Sequence, residues 1–136
     1  MPGYSGTPLP KKLGIKAGFR VHLANAPAEV RGELREALAE CEIRTKPGDT
    51  LDFAMLFTKS GSELAREFSR LAKPLAPAGM LWVGWPKRSS GVASDVDENL
   101  VREIGLDAGL VDVKVCAVTE VWSGLKFVRR VKDRKK

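Results

Sequence analysis

The chain has 136 residues, 43% of them hydrophobic and 29% charged, and a formal net charge of +6 at pH 7. That size and balance fit one globular domain over residues 1–136, large enough to need no disulfide framework or metal staple. No stretch approaches the ~20 apolar residues of a membrane span, and residues 1–6 hold no apolar signal core. Cys41 and Cys116 stand far apart, outside any CxxC pattern. A cytoplasmic protein with two buried, reduced thiols is expected.

Residues 1–17 are rich in Gly, Pro and Lys and read as an N-terminal arm with a short turn at 10–13. A first buried strand follows over residues 19–24. A helix begins with Pro27 in its first turn, where the missing N–H costs nothing. Its apolar positions Val30, Leu34, Ala37, Leu38 and Cys41 form one helical stripe. Residues 42–45 suggest a short edge strand, and Lys46-Pro47-Gly48-Asp49 is a turn signal. Residues 51–57 are almost continuously apolar, as in a parallel strand covered on both faces.

Ser60 and Glu63 form a capping box that starts a second helix. Its stripe is Leu64, Phe68, Leu71, Ala72 and Leu75, and Pro74 and Pro77 are expected to end it. A third buried strand spans residues 80–85, and residues 86–94 are a polar loop. Asp95 and Asp97 favour the N-terminus of a third helix, which carries Leu100, Val101 and Ile104 and is expected to stop at Gly105. Residues 111–115 and 124–130 alternate in polarity and predict an antiparallel hairpin. The order is β-α-β-β-α-β-α-β-β: an α/β fold, a three-layer sandwich on a mostly parallel sheet with an antiparallel C-terminal hairpin.

Two resemblances bear on this pattern. Residues 51–57, the helix after them, and Leu71-Ala72-Lys73-Pro74-Leu75-Ala76-Pro77-Ala78-Gly79 leading into Met80-Leu81-Trp82-Val83 resemble the second half of class I methyltransferases. The resemblance covers about residues 18–130 and implies a methyltransferase-like (Rossmann-like) fold, short by one or two α/β units. Those enzymes hold S-adenosylmethionine at a glycine-rich turn after the first strand and place an acid at the end of the second for the ribose hydroxyls. Here the turn is Asn25-Ala26-Pro27-Ala28 and the strand end is Arg44-Thr45. No cofactor is therefore expected. The opening Tyr4-Ser5-Gly6-Thr7-Pro8-Leu9, with Lys12-Leu13-Gly14-Ile15, is similar to that of a family of small uncharacterised bacterial proteins, a domain of unknown function.

In open parallel sheets ligands bind beyond the carboxyl ends of the strands. Those ends offer Asn25, Lys59, Ser60, Trp85, Lys87 and Arg88, an anion-friendly rim completed by the second helix's free N–H groups. His22, the one histidine, falls inside a strand and reads as a core or sheet-face residue rather than a catalyst. Trp82 and Trp122 read as core. One His and two distant Cys make no structural zinc site, and no Ser or Cys has a nucleophile-elbow setting. No catalytic or metal-binding residue is expected.

Charge is concentrated at the ends. Residues 1–28 carry four cations and no acid, and residues 129–136 carry six cations against Asp133. Such a basic tail could contact nucleic acid. The leading expectation is a non-catalytic binding or interaction module without a cofactor site. Two alternatives stand beside it: a small enzyme or ligand-binding protein with a phosphate or carboxylate at the rim, and a nucleic-acid binder through the basic termini. The hairpin edge could also pair with a second copy to give a homodimer.

Overall fold

Strand β3 (Leu51–Phe57) is buried at six of its seven positions and lies inside a six-stranded sheet. The computed structural model describes residues 7–46 and 50–134. In chain order the other elements are α1 (Leu9–Leu13), β1 (Arg20–Ala24), α2 (Ala28–Leu38), β2 (Glu42–Ile43), α3 (Gly61–Ala72), β4 (Leu75–Pro86), α4 (Glu98–Asp107), β5 (Leu110–Ala117) and β6 (Trp122–Arg129). The sheet order is β2-β1-β3-β4-β6-β5. β2, β1, β3 and β4 run parallel, and β6 pairs antiparallel with both β4 and β5. The expected α/β sandwich with a C-terminal antiparallel hairpin is what forms.

Alternation along the strands fills two cores. Ala54, Leu56, Leu81, Val83, Leu125 and Phe127 face α3 and α4. Val21, Phe53, Met55, Phe57, Trp82 and Trp122 face α1 and α2. Leu9 and Leu13 of α1 are buried, and the Trp82 Nε1–H donates to the Leu13 carbonyl at 2.9 Å, fastening this segment to the middle of the sheet. His22 is buried, with Nδ1 2.8 Å from the Arg44 carbonyl oxygen.

Several boundaries differ from expectation for identifiable reasons. Pro77 lies within β4 rather than ending a helix. The register jumps from Leu51↔Leu75 to Phe53↔Met80, so residues 76–79 form a bulge in which a proline loses no ladder bond. α4 runs past Gly105 to Asp107, and Gly109, at φ +92°, follows its end. Gly105 is there for contact: Phe127 packs directly over it. Cys41 and Cys116 are free thiols but half-buried rather than buried, and burial pushes both thiol pKa values up. The Pro47-Gly48-Asp49 turn and Tyr4-Ser5-Gly6 lie outside the described residues.

Ion pairs tie the elements together at their rims. Arg20 grips Asp52 through Nε and Nη2 at 2.9 and 3.0 Å, and the Arg20 backbone N–H adds a third bond at 2.8 Å. Arg102 bridges Asp112 and Glu98 at 2.9 and 2.7 Å, and Arg70 pairs with Glu67. These hydrogen bonds hold Asp52, Asp112 and Glu67 below the usual carboxylate range. A carboxylate depressed by folding binds fewer protons in the native state, so its contribution is complete above the unfolded value, near 4, and is lost as pH falls through the folded one. The melting temperature should therefore be flat down to about pH 5 and fall below about pH 4. Asp52→Asn should soften that fall in a calorimetric pH series, and an identical acid profile would refute the assignment.

Candidate functional site

The chain leaves β1 through Asn25, which adopts φ +60° and donates from Nδ2 toward the Phe57 carbonyl at 3.4 Å. Asn tolerates this left-handed conformation better than most residues, which permits the turn without glycine. Pro27 then caps α2 with no side-chain hydrogen bond, and its carbonyl accepts the N–H groups of Val30 and Arg31. Pro27 itself has no N–H to offer. That removes one backbone donor from the turn, and Ala26 and Ala28 carry methyl groups where glycine would let a phosphate or ribose approach the backbone.

Beside it, β3 ends in Thr58-Lys59-Ser60. The buried Thr58 hydroxyl donates to Glu63 Oε1 at 2.6 Å and accepts the Ser60 N–H at 3.1 Å, and Ser60 Oγ accepts the Glu63 N–H at 3.3 Å. The Ser60–Glu63 capping pair thus forms, with the carboxylate turned to Thr58. Phe57 and Trp122 stand edge to face at 5.3 Å. Together with Asn25, Pro27 and Lys59 these residues enclose an open cleft of about 470 Å³. Its lining joins Phe57 and Trp122 to the polar Asn25, Thr58, Ser60 and Glu63 and to one cation, Lys59.

The six candidate residues do not meet in one place. Asn25, Lys59 and Ser60 line this first cleft, whereas Trp85, Lys87 and Arg88 line a second of about 400 Å³. The loop before α4 lies between them. Asp95 N–H and Ser94 Oγ both donate to the Lys59 carbonyl, at 3.2 and 3.1 Å, and Asp95 Oδ1 accepts the Gly61 N–H at 2.7 Å. This strap occupies the N-terminus of α3, so the N–H groups of Gly61 and Glu63 are already bonded within the chain. The second cleft is mixed in charge, with Asp95, Asp97 and Glu98 facing Lys87 and Arg88. Trp85 is buried in the α3–α4 core, with only its edge on the cleft.

At the end of β2 the hollow between β1 and α2 is lined by Arg31, Arg44 and Thr45, with no carboxylate on its wall. At the other end of the chain, Arg129 belongs to the fold: its guanidinium donates to the carbonyls of Ala72 and Leu75 at 3.0 and 2.7 Å and closes the C-terminus of α3. Arg134 donates to the Arg129 carbonyl, and residues 135–136 lie outside the described residues. Among the described residues no group of three or more His, Cys, Asp or Glu is placed to hold a metal ion, and no helix is long and apolar enough to cross a membrane.

No protein-family model matches the chain, and no curated protein matches it. Solved structures do. The chain is similar to an S-adenosylmethionine-dependent methyltransferase from Aquifex aeolicus, at 16% identity and a TM-score of 0.60, over 86% of this chain and 85% of that one. It is similar to a Pyrococcus furiosus methyltransferase at 12% identity and a TM-score of 0.56, over 93% and 84%. It is similar also to magnesium protoporphyrin IX methyltransferase from Synechocystis with bound S-adenosylmethionine, at 15% identity and a TM-score of 0.58, over 90% and 74%. At such identities the likeness is one of architecture, and the chain has the methyltransferase-like, Rossmann-type α/β fold.

Proposed function

We propose that this chain is a binding module that keeps the methyltransferase-like fold, does not use S-adenosylmethionine, and takes its ligand in the cleft over the ends of β1 and β3. The observation that carries this reading is the turn after β1. Asn25-Ala26-Pro27-Ala28 offers a proline in place of a donor and methyl groups in place of glycine. Arg31, Arg44 and Thr45 line the hollow where the resemblance places a ribose-binding acid. The residues do not fit that cofactor. The cleft has the features of a small-molecule site, concave with aromatic residues and a few converging polar groups. Lys59, the one cation of its lining, is the group to pair with a phosphate or carboxylate, the Glu63 carboxylate accepting a hydrogen bond from Thr58. The opening from Tyr4 to Ile15 supports grouping the chain with the small bacterial proteins of unknown function, and we read it as a cytoplasmic protein without catalysis.

Thermal denaturation against 1 mM S-adenosylmethionine and S-adenosylhomocysteine tests this directly. Neither should move the melting temperature. A ligand with a Kd of about 10 µM would add about 2.7 kcal/mol at that concentration, a rise of several degrees. Such a rise would overturn the proposal. Small phosphates and carboxylates are the first positive probes, and any shift they give should vanish in Lys59→Ala.

A further inference from the structure

Lys12, Lys114 and Lys126 come from three separate elements and meet at the carbonyl end of α1. Lys12 Nζ donates to the Ala117 carbonyl at 2.8 Å, and Lys114 Nζ donates to the Lys12 carbonyl at 3.1 Å. Lys126 lies directly across from Lys114 in the β5–β6 ladder. Its Nζ is 3.9 Å from where a side chain on Gly14, the residue closing α1, would begin. A register shift between Asp112 and Lys114 creates the meeting. With Val113 as the spare residue, Asp112 turns to Arg102 on α4 while Lys114 turns to α1.

Like charges directly opposite on neighbouring strands are unfavourable. Burial and Lys114 both hold the Lys126 ammonium below its ordinary pKa, and the charges felt by the half-buried Cys116 beside it come from Lys12 and Lys114. Exposed Lys11 and Lys16 extend the same field along a segment, residues 1–28, that contains no acid. Lys12 and Lys114 each cap a backbone carbonyl, and Lys114 and Lys126 still face one another as like charges across the ladder. A polyanion would remove the repulsion.

We propose that this row of lysines docks the phosphodiester backbone of a nucleic acid. The site is separate from the ligand cleft and does not depend on it. A phosphodiester backbone carries one negative charge per nucleotide and can meet several of these ammonium groups at once. Lys114 is exposed and Lys12 and Lys126 are half-buried. No aromatic side chain belongs to the row, so contact is through phosphates and independent of sequence.

Fluorescence anisotropy of labelled 20-nucleotide RNA and DNA, single- and double-stranded, titrated with the full chain from 50 to 200 mM salt, tests this. Binding should be sequence-independent and salt-steep. Lys114→Gln with Lys126→Gln should weaken it roughly tenfold or more at low salt and flatten the single-strand log–log slope by about 1.4. The melting temperature of this variant should hold or rise. Lys132→Gln with Arg134→Gln, in the tail, should cost less. No binding at 50 mM salt overturns the proposal, as does an unchanged slope in the double variant. A lower melting temperature with unchanged binding would mean that the lysines only cap α1. Capture by anionic lipid vesicles without oligonucleotide binding would also refute it.

Discussion

Gly105→Ala should destabilise the protein by about 3 kcal/mol or more, or prevent its folding, although alanine is the better helix former. In an exposed helix interior the same change gains ~1 kcal/mol. Here a Cβ on residue 105 would overlap Cε2 and Cζ of Phe127 and stand 2.6 Å from Cδ2. The ring cannot step aside. It is fully buried and sits edge to face with Phe68 at 5.2 Å, within the core shared by α3, α4 and the sheet. Either α4 lifts from β6 or Phe127 leaves its rotamer and disturbs Phe68. Urea denaturation of the purified variant checks the sign. Gly105→Ala in a Phe127→Leu background tests the cause, because a smaller side chain should restore much of the loss as a coupling energy. A neutral or stabilising Gly105→Ala would show that α4 and β6 are not this close.

Gly105 also marks where sequence reading reaches its limit. Apolar runs placed the buried parallel strands, alternation the C-terminal hairpin and a 3.6-residue stripe the long helices, because burial writes itself into the local pattern of polarity. A glycine near a helix end reads locally as a stop, and only the distant Phe127 shows it to be a contact residue. Pro77 misled in the same way, since a bulge that tolerates proline depends on how β4 pairs with Leu51 and Phe53. The candidate rim was legible as a set of strand ends and not as two clefts. What divides it is a long-range strap, in which Asp95 bonds Gly61 rather than serving only the helix that follows it. The lysine row was hidden for a related reason. Lys114 and Lys126 are ordinary strand positions until a one-residue shift at Val113 turns them to the same side, and Lys12 joins them only because α1 docks there.

That docking depends on Trp82, and Trp82→Ala should carry the second large effect. The side chain is fully buried, fills the α1–α2 core between Leu13 and Gly124, and holds the Leu13 carbonyl through Nε1. Truncating a buried tryptophan costs about 3–5 kcal/mol, from lost contacts and the cavity left behind. Trp82→Phe separates the local effect from the global one. It keeps most of the volume and removes the one hydrogen bond from the sheet interior to α1, a five-residue helix otherwise held by buried Leu9 and Leu13 and by the bonds of Lys12 and Lys114. Short helices are marginal without tertiary contacts, so α1 should open while the sheet persists. Trypsin should then cut after Lys11, Lys12 or Lys16 well before the rest of the chain, and amide exchange at residues 12–15 should outrun that of β3 and β4. Opening α1 also carries Lys12 away from Lys114 and Lys126. Trp82→Phe should therefore weaken oligonucleotide binding without removing any charge, an outcome that a merely basic chain would not give. Unchanged proteolysis would mean that Leu9 and Leu13 hold α1 by burial alone.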